Sequence, residues 1–346
     1  MESFSKNQKS ENAYLEQLKN NTEEKVGALI QSLEDGNLPE VDGVTRVMEI
    51  GVGSGDGIER IKSEIKNPDL EVYAVDILET LVKRVHSPED KVFGVAADLT
   101  QLPFRENTFS GINLSSVVHE AISYNPELLE GNVSIDEYVK KLFQQIIFLT
   151  QEGGRIFYRD VGLSDNSNVP LSGGYDNSVA DFVSAFDDVF RNRFLGLTQS
   201  DIQIDLSSED GVTVHGSAHY HREIQRHLIS YLDYALRQNS GISFKDALTD
   251  VSENRLDFDV LTASVETVCC DTFIFDGWKK REGSELYTYR SVNEIVELIT
   301  EVDVEDRTFE IEIAEVVDRP LYSRYLKSVT NAALPDTKQN LILKKK

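Results

Sequence analysis

The chain has 346 residues, 40% of them hydrophobic, and carries a formal charge of −25 from 60 acidic and 35 basic side chains. That length holds one large domain or two ordinary ones around a substantial core, while the charge opposes docking on a polyanion, so nucleic acid is not expected as a partner. No run of about 18 apolar residues is present, and Met1–Lys6 lacks the apolar centre of a signal peptide, which sets the expectation of a cytoplasmic protein with no membrane partner.

Residues 1–40 form an N-terminal helical segment by their spacing, with Tyr14, Leu15 and Leu18 on a first helix and Val26, Leu29, Ile30 and Leu33 on a second that stops at Asp35-Gly36-Asn37. A flexible leader is the alternative for the first dozen residues. Thr45–Ile50 reads as a strand, and Ile58–Ile65 continues at helical spacing, so Gly51, Gly53 and Gly55 occupy a strand-to-helix turn. Glycine there removes the Cβ wall and permits positive φ, letting a ligand approach the backbone beside helix N–H groups. A dinucleotide fingerprint wants its third glycine at position 56, which here is Asp56. A pyrophosphate is poorly served, and Glu49 before the first glycine would repel phosphate yet could orient a cationic ligand. Glu71–Asp76 is a second strand whose terminal acid, Asp76, lies about 20 residues past the glycines, as ribose recognition requires. A third strand, Lys91–Leu99, ends in Ala97-Asp98-Leu99, and a fourth begins at Phe109 and runs toward Ser115-Ser116-Val117-Val118-His119-Glu120.

Glu49-Ile50-Gly51-Val52-Gly53-Ser54-Gly55 closely resembles the first motif of class I S-adenosylmethionine-dependent methyltransferases, and the order of the later motifs fits the same family. The resemblance implies S-adenosylmethionine as cofactor, held by Glu49, Gly51, Gly53, Gly55, Asp76, Ile77, Asp98, Leu99 and Ser115, with Asp98 and the Leu99 N–H at the adenine. Ser110 departs from the aspartate usual in the fourth strand.

A helix over Ile135–Leu149 leads through a Gly153-Gly154 stop into a fifth strand, Arg155–Asp160. The βα alternation then breaks: 163–285 reads as an inserted, mainly helical cap or acceptor-binding region, with polar Ser164–Asn168 and helical stretches near 179–194 and 217–237. Its place after the fifth strand puts it above the cofactor, structural elaboration elsewhere being the alternative. Cys269 and Cys270, adjacent, read as buried free thiols. Ser291–Glu294 is a capping box opening a helix, Arg307–Ile313 and Gln339–Leu343 are strands, and Lys344–Lys346 reads as a solvated end. The expected fold is α/β: a doubly wound, Rossmann-like, seven-stranded mostly parallel sheet over 41–162 and 286–346, its last strand antiparallel by the family resemblance.

For chemistry, methyl transfer needs a positioned acceptor and, for a hydroxyl or ammonium, a base. His119 with Glu120 lies past the fourth strand as the candidate base, packing or capping of the loop being the alternative; Arg159 either holds an acceptor anion or makes a structural ion pair. Asn113-Leu114-Ser115-Ser116 is not the Asn-Pro-Pro-Tyr that DNA adenine methylation calls for. His215, His219, His221 and His227 cluster without a strong metal signature, and no metal is assigned to them. The reading is a methyltransferase acting on a small-molecule acceptor, oxygen marginally preferred. A protein or RNA methyltransferase, a non-catalytic cofactor-binding scaffold and a metal-assisted enzyme are the alternatives.

Overall fold

The computed structural model describes residues 22–162, 170–190, 194–195, 203–208, 211–241, 244, 246–247, 258–269, 271–282, 287–288, 290–302, 309–317, 326–329 and 338–346. Two compact units divide them: Leu18–Gly162, Arg290–Val317 and Lys338–Lys346 in one, and the described parts of Leu163–Tyr289 and Asp318–Thr337 in the other. Tyr14, Leu15, Leu18, Ser164–Asn168 and Cys270, named above, lie outside the described residues. Among the described residues, no helix is long and apolar enough to cross a membrane.

The first unit alternates strands and helices: α1 (Thr22–Glu34), β1 (Thr45–Ile50), α2 (Asp56–Glu64), β2 (Leu70–Asp76), α3 (Glu79–Val85), β3 (Val92–Ala96), β4 (Phe109–Ser115), α4 (Val118–Ser123), α5 (Ile135–Leu149), β5 (Thr150–Val161), α6 (Val292–Thr300), β6 (Phe309–Val317) and β7 (Lys338–Lys345). Its seven-stranded sheet has the order β6-β7-β5-β4-β1-β2-β3. The five strands β1 to β5 run parallel, and β7 lies antiparallel between β5 and β6. This is the doubly wound, Rossmann-like architecture that the sequence leads one to expect. The order reverses at β1 and β4, which opens a crevice beyond their carboxyl ends.

Both faces of the sheet are covered, so central strands read as continuous apolar runs rather than alternating ones. On one face Met48, Ile50, Leu114, Phe143, Ile146 and Leu341 pack together; on the other Val26 and Leu29 of α1 pack with Val47, Ile58, Ile61 and Phe157. Capping boxes start both α5, where the Ser134 hydroxyl accepts from the Glu137 N–H, and α6, where Ser291 and Glu294 do the same as expected.

Two local expectations fail. Gly153-Gly154 does not stop α5, which ends at Leu149; the pair lies inside β5, where the register against β4 shifts between Phe109 and Gly111. A Cβ on Gly154 would stand 2.9 Å from the Ser110 carbonyl oxygen, so glycine serves close strand approach rather than helix termination. Lys344–Lys346 is not simply a solvated end. Lys345 is 4% exposed and its ammonium donates to Asn107 Oδ1 at 2.8 Å and to the Ile147 and Thr150 carbonyls, tying β7 to the α5–β5 junction.

The second unit contains helices Ala180–Phe190, Ala218–Ser240, Phe258–Cys269 and Thr272–Glu282. It also contains a sheet that helical periodicity did not announce: strands Leu326–Val329, Pro170–Tyr175, Gly211–Ser217 and Gln203–Ser208 in that order, antiparallel throughout. Leu326–Val329, which sequence alone puts in the Rossmann-like domain, pairs with Pro170–Tyr175 and so belongs to the second unit. Phe182, Tyr231, Phe275 and Trp278 form its aromatic core. Cys269 is buried, as expected.

Candidate active site at the strand ends

The glycine turn after β1 is shaped by three positive φ angles, +80° at Gly51, +53° at Gly53 and +91° at Gly55. A Cβ on Gly51 would stand 3.0 Å from the Val117 side chain, and one on Gly55 would stand 2.7 Å from that of Val85, so both space and conformation require glycine. Gly55 is the residue before α2 and supplies no side-chain cap, which leaves the helix's first N–H groups to other acceptors. Asp76, at the end of β2, fixes the turn: one of its oxygens accepts from Val52 N–H at 3.0 Å and the other from Leu78 N–H at 2.9 Å. A carboxylate has about four acceptor directions, so Asp76 retains capacity for ribose hydroxyls. Ile77 is 69% exposed immediately beyond it, an apolar surface for a planar ring. The Ala97 N–H binds the Asp76 carbonyl, bringing Asp98 and Leu99 to the same rim; Asp98 Oδ1 accepts both the N–H and the hydroxyl of Thr100 at 2.7 Å, and Leu99 is buried.

Glu49 is buried below the turn, and Asn113 of β4, its register partner, donates to it at 2.7 Å. Burial pushes the Glu49 carboxyl up to about 8, against the opposing effects of that hydrogen bond and of the Lys25 charge. The same Asn113 amide donates to the Lys25 carbonyl at 3.0 Å and so ties α1 to the strand ends.

At the end of β4, Ser115 is buried and, among the described residues, its hydroxyl has no hydrogen-bond partner, an orphan polar atom at the mouth of the crevice. Ser116 follows with φ +57°, a strained conformation for a non-glycine residue, held by its N–H on the Arg159 carbonyl at 2.7 Å. Asp160, 1% exposed, accepts from Val118 N–H at 3.0 Å, His119 N–H at 3.2 Å and Val161 N–H at 2.8 Å. Its Oδ1 also lies 2.6 Å from His119 Nδ1. An acceptor-only carboxylate there fixes Nδ1–H, placing the ring's basic lone pair on Nε2. Glu120 is half-buried on the next position of α4. Arg159 forms an ion pair with Glu24 of α1 and reaches Ser116 Oγ at 3.4 Å. Of the two roles left open for it, the structure displays the ion pair.

Sequence reasoning missed Asp160, Asn113 and Lys25. The signal for Asp160 was present in the pairing Ser115↔Arg159, which puts the following acid beside the loop after β4.

Residues 48–157 match the family model of a methyltransferase domain. That stretch of the chain is a methyltransferase domain. No curated protein sequence matches it. Among solved structures, an S-adenosylmethionine-dependent methyltransferase from Mesorhizobium loti aligns over 92% of this chain and 97% of its own, at 11% identity and TM-score 0.42. Another from Aquifex aeolicus aligns over 54% and 87%, at 16% identity and TM-score 0.28. The DszA carbon methyltransferase aligns over 39% of this chain and about a third, 34%, of its own length, at 20% identity and TM-score 0.31.

The residues at the methyltransferase strand ends fit the cofactor. The glycine cradle would be filled by any Cβ at Gly51 or Gly55, the Ser115 hydroxyl at the rim has no partner among the described residues, and Asp76, bound to the Val52 N–H of the turn, has acceptor capacity left. By contrast, His219, His221 and His227 of the second unit are buried against protein groups. His221 Nδ1 lies 2.9 Å from the Tyr175 hydroxyl, and His227 Nδ1 lies 2.9 Å from the Glu223 carbonyl, while His219 Nε2 is 3.8 Å from the Glu223 carboxylate. His215, on its strand, is exposed. Among the described residues, no group of three or more His, Cys, Asp or Glu side chains is arranged to hold a metal.

Proposed function

We propose that the enzyme methylates a small-molecule acceptor, with His119 as general base and an oxygen nucleophile as the preferred acceptor atom. The observation that carries this reading is the His119–Asp160 pair at 2.6 Å, between the first turn of α4 and the end of β5, next to Val117, which packs against Gly51 of the glycine turn. S-adenosylmethionine supplies an electrophilic methyl on a sulfonium, so the chain's own residues position the acceptor and take its proton. Asp160 holds the imidazole in one tautomer and stabilises the imidazolium once Nε2 has received that proton. Glu49, Gly51, Gly53, Gly55, Asp76, Ile77, Asp98, Leu99 and Ser115 hold the cofactor in this reading. Glu120 contributes negative charge beside the histidine. Arg159 acts through Glu24 and Ser116, as a clamp on the loop rather than as an acceptor anchor. The charge of −25 supports an acceptor that is not a nucleic acid.

The test is methyl transfer from labelled S-adenosylmethionine to panels of small hydroxyl, amine, thiol and carbon acids, run beside protein and RNA fractions. Label on a small hydroxyl compound, lost in His119→Ala, is the expected result. Label confined to protein or RNA would overturn the acceptor assignment, and cofactor binding with no transfer to any panel would favour a scaffold.

A further inference from the structure

Three contacts pin the start of α1 over the strand ends of the methyltransferase unit. Glu24 pairs with Arg159 at the end of β5. The Lys25 carbonyl accepts from Asn113, which also donates to Glu49 at the end of β1. Val26 packs beside Gly57 in the first turn of α2, where a Cβ on that glycine would stand 3.1 Å from it. Lys25 is thereby held half-buried where β1, β4, β5 and the glycine turn converge.

Its ammonium is the unusual element. Glu49, Glu120 and Asp56 attract it and Arg159 opposes it, yet among the described residues no oxygen comes within hydrogen-bond or ion-pair reach of it. Were Lys25 there to neutralise Glu49, a close pair would form and hold that carboxyl ionised. Instead burial keeps Glu49 at about 8, and burial lowers the proton affinity of Lys25 as well. A desolvated cation without a contact partner is costly unless a ligand supplies the anion.

The cofactor's chemistry supplies one. Its aminoacyl end carries an ammonium and a carboxylate, and its sulfonium adds a second positive centre. Glu120 suits the cationic parts, and a bound cation beside Glu49 favours that group's ionised form. The carboxylate needs a cation, and Arg159, the other basic group in this neighbourhood, is engaged by Glu24 and Ser116. We propose that the Lys25 ammonium receives the carboxylate of the cofactor's aminoacyl group, making the N-terminal helix part of the cofactor site. This rests on the placement of the cofactor given above. Lys25 is a positioning residue: by fixing the aminoacyl end it sets the direction in which the sulfonium methyl points.

The test compares two ligands that differ only at that carboxylate, S-adenosylhomocysteine and its decarboxylated analogue, by calorimetric titration of wild type, Lys25→Met, Lys25→Gln and Lys25→Arg. Wild type is expected to bind S-adenosylhomocysteine at least 10-fold more tightly than the analogue. Lys25→Met and Lys25→Gln should lose about that factor for S-adenosylhomocysteine and bind the analogue within about 3-fold of wild type, so the preference disappears while the fold and the nucleoside site persist. Lys25→Arg should restore most of it. A preference retained in Lys25→Met or Lys25→Gln overturns the inference alone, as does a loss equal for both ligands. Wild type binding neither ligand would overturn the cofactor placement and the inference with it.

Discussion

Both units bury polar groups, but in different arrangements. In the methyltransferase unit Glu49, Asn113, Ser115, His119 and Asp160 come from β1, β4, β5 and α4 and gather at one end of the sheet. In the second unit His219, His221, Glu223 and His227 come from a single helix, Ala218–Ser240, and sit inside its packing. Convergence from several strands onto one crevice is what a parallel sheet supplies at its switch point. A run along one helix gives local i, i+4 pairs, such as His219 and His227 with Glu223, and these rigidify a core rather than surround a ligand.

The largest effect separating the two should come from the glycine turn. Gly51→Val introduces a β-branched side chain at φ +80° against Val117. Forcing it into the left-handed region costs about 1–2 kcal/mol, and the valine then fills the cradle. Binding of S-adenosylhomocysteine, measured by calorimetry, should fall at least about 100-fold, with only a modest fall in melting temperature. A variant that binds normally would remove the turn from the cofactor site. Next in size is His119→Ala, for which kcat should drop about 100-fold or more while the cofactor affinity stays within about 3-fold, the signature of a lost general base. Equal losses in kcat and cofactor affinity would mean that His119 only packs the loop.

The two units should also answer pH with opposite signs. Glu49, raised from 4.5 to about 8 in the folded chain, keeps a proton that the unfolded chain releases above 4.5. Its unit therefore loses stability as pH rises from about 4.5 to 8. His219 and His221, lowered by burial from 6.5 to about 4, stay neutral while the unfolded chain takes up protons below 6.5. Their unit loses stability as pH falls from about 6.5 toward 4. His219 is faced by Glu223, which favours its charged form, and by Arg226 and Arg222, which oppose it; His221 is faced by the Leu171 carbonyl and by His215. Hydrogen exchange at pH 5, 6.5 and 8, corrected for intrinsic rates and read on peptides from β1 and from Ala218–Ser240, resolves the two responses. Glu49→Gln should flatten the first by about 1–2 kcal/mol, and His219→Gln should flatten the second by a similar amount. Parallel slopes in both units would show that these groups do not control local stability.

The contrast also explains what could be read from sequence. The strand order, the glycine turn and Asp76 were legible because each leaves a local mark: a period, an abrupt stop, an acid at a fixed distance. The partners Asn113–Glu49, Asp160–His119 and Lys25 were not, since they lie 64, 41 and 88 residues from the groups they meet and depend on strand register. Gly153-Gly154 misled for the same reason. A Cβ at 154 would meet the Ser110 carbonyl across the sheet as well as the Gln151 carbonyl and the Thr150 methyl, an approach that depends on the strand pairing and not on a helix end. In the second unit the edge strand Leu326–Val329 was placed with the other domain because its partner, Pro170–Tyr175, is far away in the sequence.

Ser115 offers the smallest effect and the finest discrimination between a site and a core. Among the described residues its buried hydroxyl has no hydrogen-bond partner, so burial has cost it water without compensation from them. In a core such an atom would be a defect in every state. At a binding site, the ligand repairs it. Ser115→Ala should therefore raise the stability of the ligand-free enzyme by about 0.5–1 kcal/mol and weaken S-adenosylhomocysteine binding about 3- to 5-fold. Urea unfolding with and without the ligand measures both. Stabilisation without loss of affinity would make Ser115 a packing residue at the edge of the crevice, whereas loss of stability without ligand would mean that its hydroxyl is satisfied by the protein itself.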